Sequence, residues 1–314
     1  MTRAFIFPGQ GSQSVGMGKA LADAFAPARR VFEEVDDALS QKLSKLMWEG
    51  PQDDLVLTEN AQPAIMAASY AVIAVLQAEG GFDIAKHARL VAGHSLGEYT
   101  ALAAAGAFTL ADTARLLKTR GQAMQSAVPV GVGAMSALLG AEIELAEEAA
   151  AEAIAEKLEA NPVCVVANDN APGQVVISGT KATVARAGEI AKAKGAKRAM
   201  ALAVSAPFHC PLMQPAADKM AEALAAITIR PPGAPVVANV TAAENSEPET
   251  IRRLLVEQVT GRVRWRESVL AFRSLGVDTT VEAGGGKVLT GMVKRIDKEL
   301  QTISLDSPAD IEAF

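Results

Sequence analysis

The stretch from Leu90 to Glu98, Leu-Val-Ala-Gly-His-Ser-Leu-Gly-Glu, limits what this chain can fold into more than any other. The apolar run at 90–92 reads as a buried strand, and the alanine-rich run at 100–105 reads as a helix. Between them stands Gly93-His94-Ser95-Leu96-Gly97, a Gly-x-Ser-x-Gly turn. In the order strand, turn, helix, this is the signature of a nucleophile elbow. The two glycines let strand and helix approach closely, and the serine sits in a strained turn with its hydroxyl exposed. The helix points its first amides at that hydroxyl, where they can stabilise a developing oxyanion. The remaining residues have to supply a base, a second oxyanion donor and a source of specificity.

Strands and helices alternate on both sides of this turn. Half of the 314 residues are hydrophobic, many of them alanine, and only 4% are aromatic, which favours a helix-rich α/β protein over a β-sandwich. The length allows a large core and more than one lobe. The formal net charge of −6 argues against a nucleic-acid binder. Two cysteines, Cys164 and Cys210, exclude a disulfide scaffold and fit a reducing cytosol. Residues 2–5 run directly into a strand, leaving no room for a signal peptide. The richest apolar run, at 70–76, is too short to span a bilayer. A cytoplasmic protein without a membrane partner is expected.

The first strand, 4–7, ends at Pro8 and leads into a loop with Gly9, Gln10, Gly11, Ser12 and Gln13, with a helix starting near 15–17. Ser14 stands where a dinucleotide motif needs its third glycine, so the loop is better suited to carrying backbone N–H groups across to the elbow. A helix apolar nearly all round is expected over 63–77, with Pro63 in its first turn. Thr109 and Asp112 resemble a capping box opening a helix that runs to about 127. On one face of it, Arg120 lies among Leu116, Leu117, Ala123 and Met124. A guanidinium there cannot shed its charge and needs an anionic partner. That partner is either a protein carboxylate or the carboxylate of a substrate.

Residues 130–204 follow a β-α-β-β-α-β order with a hairpin turn at 170–173, which reads as an inserted ferredoxin-like α+β subdomain. The large domain then comprises 1–129 and 205–314. Lys192, Lys194, Lys197 and Arg198 form a basic cluster that is either a solvated face or a means of steering an acidic partner. His209 lies between Pro207 and Pro211 in the segment 205–211 where the chain returns to the large domain. It is the best candidate base. His94 directly precedes Ser95 and should point away from it, and His87 reads as a solvated loop residue. Cys210 reads as packing. A capping box at 246–249 opens a helix that aims Gln258 inward beside Ile251, Leu254 and Leu255, so its amide must find partners. The run Gly284-Gly285-Gly286-Lys287 is followed by Val288 and fails as a phosphate loop. The last strand is expected at 302–305, with a peripheral tail.

Several separated stretches occur together in one order: 7–13 (Phe-Pro-Gly-Gln-Gly-Ser-Gln), 62–64 (Gln-Pro-Ala), 93–98, Arg120-Gly121, Pro207-Phe208-His209 and Gln258. In this combination the chain resembles the malonyl-CoA:acyl carrier protein transacylases, the discrete acyltransferases of fatty acid synthesis, over nearly its whole length. The resemblance implies a large hydrolase-like three-layer α/β domain with a parallel sheet, and the inserted small subdomain. It implies Ser95 as nucleophile, His209 as base, the backbone N–H groups of Gln10 and Leu96 as oxyanion hole, Arg120 as the ligand of the malonyl carboxylate, and Gln258 as completing the site. Met124, Phe208 and Asn168 are the remaining substrate-binding positions it implies, with Phe208 matching malonyl-selective members. Gly285 departs from the proline common at that position. No metal or cofactor is expected, since malonyl-CoA is a substrate and the phosphopantetheine arm belongs to the carrier protein. A monomer is expected. Two other readings compete: a serine hydrolase of the same elbow type, which calls for a catalytic acid and a histidine near the C-terminus, and a non-catalytic subunit that binds carrier protein. The product could also serve polyketide synthesis.

Overall fold

The computed structural model describes residues 2–204 and 206–314. Met1 and Ser205, which begin the two stretches assigned above to the large domain, lie outside the described residues. In chain order the strands are β1 (Arg3–Phe7), β2 (Ala88–Gly93), β3 (Gly133–Leu139), β4 (Cys164–Ala171), β5 (Gln174–Thr180), β6 (Arg198–Ala201), β7 (Val236–Val237), β8 (Glu244–Asn245), β9 (Thr279–Ala283) and β10 (Gln301–Leu305). They form a six-stranded sheet, β10-β9-β1-β2-β7-β8, and a four-stranded sheet, β4-β5-β3-β6.

The large sheet is parallel through β7, and β8 adds an antiparallel edge. Its central strands β1, β2 and β7 are largely apolar on both faces because both are covered. Phe5 and Phe7 of β1 face one core, with the helices Ala26–Leu39, Thr58–Gly80, Leu96–Ala104 and Leu110–Ser126. The alternate residues Ala4 and Ile6 face a second core with Trp265, Val269, Phe272 and Leu289. This is a three-layer α/β arrangement. The small sheet is antiparallel and follows the β-α-β-β-α-β order. One of its faces packs on helices Ile143–Ala155 and Lys181–Ala193 through an alanine- and valine-rich core, while Met135, Ala167 and Val176 join the large core.

Four local expectations change. The buried helix begins at Thr58, so Pro63 stands inside it and not in its first turn. At 23 residues it is long and apolar enough to cross a membrane by length and composition, yet most of it is buried inside the protein. Alanines extend the apolar stretch well beyond 70–76, and neighbouring helices cover it. The first helix after β1 begins at Lys19, because left-handed Gly16 and Gly18 hold 15–18 in turns. The hairpin turn narrows to Pro172 and Gly173, and β4 continues through Asn170 because its buried polar side chains find partners across the domain. The helix cap at 246–249 is Glu247, which accepts from the N–H groups of Glu249 and Thr250. The tail lies at the periphery, as a helix Pro308–Ala313 with no buried residue, capped by Ser307 and Asp310 and anchored by Phe314, which packs edge-on against Phe5 and Phe82.

Candidate active site

The elbow is formed by two close approaches of backbone. A Cβ on Gly93 would lie 1.9 Å from the carbonyl carbon of Gly97, and one on Gly97 would lie 2.2 Å from the carbonyl oxygen of Phe7. Only glycine fits at either place, and the second contact brings the end of β1 and its loop onto the elbow. Ser95 itself takes φ 52° and ψ −109°, a conformation rare for an L-residue. Asn239, just beyond β7, holds it there. Its Oδ1 accepts the Ser95 N–H at 2.7 Å, and its Nδ2 donates to the Gly93 carbonyl at 2.6 Å.

Ser95 Oγ lies 2.8 Å from His209 Nε2. Nδ1 of the same ring donates to the carbonyls of Gln258 at 2.8 Å and Gly261 at 3.2 Å. Only an N–H can bond to a carbonyl oxygen, so Nδ1 carries the proton and Nε2 is free to accept the serine's. Burial, then the nearby Arg120 charge, push His209 down to about 3, which keeps the imidazole neutral. Among the described residues no carboxylate fills the third place of a serine triad; two backbone carbonyls orient the imidazole. His94 points away from Ser95, as expected. Its Nε2 donates to Asn170 Oδ1 at 2.8 Å, and its ring lies 5.8 Å from that of Trp265.

Arg120 is 1% exposed. Its Nη1 donates to Gln62 Oε1 at 2.9 Å, and its Nη2 donates to Gln258 Oε1 at 2.9 Å and to Ser95 Oγ at 3.0 Å. Its Nε has no acceptor, and it forms no ion pair with a carboxylate among the described residues. The internal ion pair considered from the sequence is therefore absent among the described residues, and neutral amides hold the guanidinium next to Ser95. Gln258 is fully buried, and its Nε2 donates to Glu98 Oε2 at 2.7 Å and to the Ser95 carbonyl at 3.1 Å. Burial raises Glu98 to about 7, against the opposing pull of the Asn239 N–H, the Gln258 amide and Arg120.

The N–H groups of Gln10 and Leu96 have no acceptor among the described residues, so both remain available to a ligand oxygen. Met124 is buried, and its sulfur accepts from Gln62 Nε2 at 3.7 Å, on the far side of the amide that meets Arg120. Phe208 is buried next to His209. Asn168 is buried on β4 and bridges to Val263, but makes no hydrogen bond to Ser95, His209, Arg120 or Gln258. Cys210 donates its S–H to the Pro207 carbonyl at 3.0 Å and is packing. The basic cluster is partly neutralised, because Lys194 pairs with Glu148 and Glu152. A cleft of about 410 Å³ opens beside His209, between β4 and the chain that follows Gly261.

Gln62, Glu98, Asn239 and Asn170 had no role assigned from the sequence. Gln62 stands out as a polar side chain on a helix otherwise apolar nearly all round only once that helix begins at Thr58 and not at Pro63. Asn239 also had a signal, since it follows a parallel strand at the carboxyl edge where α/β sheets bind ligands.

The acyl transferase domain family matches residues 4–305. The chain is 45% identical over 310 residues to the malonyl CoA-acyl carrier protein transacylase of Bacillus subtilis, covering 98% of this chain and 95% of that one. A crystal structure of acyl-carrier-protein-S-malonyltransferase from Bartonella henselae superposes with a TM-score of 0.96 at 53% identity, covering 100% of this chain and 98% of the other. A malonyl-transacylase in complex with its type II PKS acyl-carrier protein superposes with a TM-score of 0.94 at 43% identity, covering 100% and 98%. The chain thus belongs to the acyl transferase domain family, among relatives that are malonyl CoA-acyl carrier protein transacylases.

Proposed function

We propose that the protein transfers the malonyl group of malonyl-CoA to the phosphopantetheine thiol of acyl carrier protein through a malonyl-Ser95 intermediate, supplying extender units for fatty acid biosynthesis. The observation that carries the reading is Arg120, a buried guanidinium without a carboxylate partner, 3.0 Å from the nucleophile. A site that keeps such a charge open selects an acyl group that brings its own anion.

In the first half-reaction Ser95 Oγ attacks the thioester carbon while its proton passes to His209 Nε2. The N–H groups of Gln10 and Leu96 receive the oxyanion, each contributing about 3 kcal/mol to lowering the barrier. The C–S bond breaks, and the departing coenzyme A sulfur takes the proton from His209. In the second half the carrier thiol gives its proton to His209 and attacks the malonyl ester, and Ser95 Oγ leaves with that proton. Arg120 binds the malonyl carboxylate, Gln258 and Gln62 aim it, and Met124, Phe208 and Asn168 shape the surroundings. Neither half-reaction calls for a cofactor of the enzyme's own, and one chain carries every group used. We assign it to the cytoplasm as a monomer.

Intact-mass measurement after incubation with a panel of acyl-CoA thioesters tests the reading. Malonyl-CoA is expected to label Ser95 and acetyl-CoA to label it little, and Ser95→Ala should abolish labelling. Transfer to holo carrier protein should outrun release of malonate. Release faster than transfer would make the protein a hydrolase, and label on another residue would overturn the mechanism.

A further inference from the structure

Neither half-reaction uses Glu98, yet this carboxylate is 2% exposed in the first turn of the elbow helix. One of its oxygens, Oε2, accepts two bonds: from the backbone N–H of Asn239 at 3.0 Å and from Gln258 Nε2 at 2.7 Å. Asn239 clamps the strained turn at Ser95, and Gln258 faces Arg120. A single atom therefore joins the residue that holds the nucleophile to the one that meets the guanidinium.

The two ends of an amide have nearly the same shape, so its neighbours decide which way it points. On one side Gln258 meets acceptors, Glu98 Oε2 and the Ser95 carbonyl; on the other it meets a donor, Arg120 Nη2. Turned over, the amide would set its N–H₂ against the guanidinium and its oxygen against a carboxyl group and a carbonyl. Buried polar groups left facing their own kind are costly.

We infer that Glu98 is a positioning residue: it fixes the amide of Gln258 with the oxygen toward Arg120, and so holds the guanidinium in line for the acyl carboxylate. This rests on the carboxylate-clamp reading above. Because Oε2 alone accepts both bonds, the side-chain oxygen of a glutamine at 98 can replace it, whereas alanine removes the acceptor.

Single-turnover acylation by malonyl-CoA and acetyl-CoA tests it, comparing Glu98→Ala and Glu98→Gln with the same changes in a Gln258→Ala background. Glu98→Ala is expected to slow malonyl acylation ~100-fold and acetyl acylation only a few-fold, narrowing the preference. Glu98→Gln should recover most of that loss. With Gln258→Ala already present, adding Glu98→Ala should cost less than about 3-fold more, because the amide it orients is gone. Where the alanine variant does not fold, Glu98→Asp, shorter by one methylene, should narrow the preference in weaker form. Equal loss for both acyl groups, or losses at 98 and 258 that multiply independently, would overturn the inference. Arg120→Ala is run alongside: if it leaves the malonyl preference intact, the clamp itself is wrong, a result separate from the Glu98 series.

Discussion

Arg120 and Arg266 both turn guanidinium groups into the protein, and only one of them meets a carboxylate. Arg266, on the helix Trp265–Ser274, donates Nε to both oxygens of Asp169 at 3.0 and 2.9 Å, and Asp169 is 1% exposed on β4. That pair ties the small sheet to a helix beneath the large one. Arg120 lies beside Ser95 with glutamine oxygens and the serine hydroxyl as its partners. A charge matched in place serves the fold. A charge left with neutral partners carries its desolvation cost uncompensated until a ligand arrives, and so can choose the ligand.

The first way to break this comparison is Arg120→Met, which keeps the apolar stem and removes the charge. The malonyl-over-acetyl ratio in kcat/KM should collapse by ~10³- to 10⁴-fold, while thermal stability holds or rises. A second readout follows from His209. Burial and the Arg120 charge both hold His209 down at about 3, so deleting the charge moves the ring back toward its ordinary value. The acid limb of acetyl acylation should then shift to higher pH, part of the way only, because burial is the larger cause. A retained malonyl preference would show that Arg120 does not choose the acyl group.

Arg266→Met should do the reverse. It strands the Asp169 carboxylate, and a loss of about 3 kcal/mol is expected, read as a fall in Tm of roughly 6–12 °C. The folded fraction should still prefer malonyl as strongly as the parent. A change in preference without a change in Tm would erase the division of labour between the two arginines.

Sequence and structure agree best where the signal is local. The elbow, Arg120 on its apolar stripe and inward Gln258 are each defined within a turn or two of chain, and the small sheet within one contiguous stretch. Asn239 is 144 residues from the serine it clamps, and its bond depends on β7 lying beside β2. The hairpin expected at 170–173 starts two residues too early because Asn170 reads as a turn former by propensity. The side chains of Asp169 and Asn170 are satisfied by Arg266 and His94, on elements the local sequence does not contain. The long helix starts earlier than Pro63 suggests because tertiary burial outweighs the single hydrogen bond a proline removes.

The smallest effect belongs to a third arginine, and it sharpens what separates the other two. Arg186, on the helix Lys181–Ala193 packed against the small sheet, makes a two-pronged bond to Glu156 at 2.7 and 2.8 Å and a further one to Glu189 at 3.0 Å. By geometry it is at least as well paired as Arg266. Its partners stand in water, however, and the side chain is 38% exposed. The side-chain bond and then the opposite charge lower Glu156, but solvent and salt screen that attraction. Arg186→Ala should therefore move Tm by no more than about 1 °C and leave the acyl preference unchanged, and about 0.5 M salt should erase even that shift. If it instead cost as much as Arg266→Met, pairing geometry would decide what an arginine contributes here. The expected result makes the absence of water the deciding quantity: around Asp169, where it makes the pair structural, and around Arg120, where it makes the unmatched charge selective.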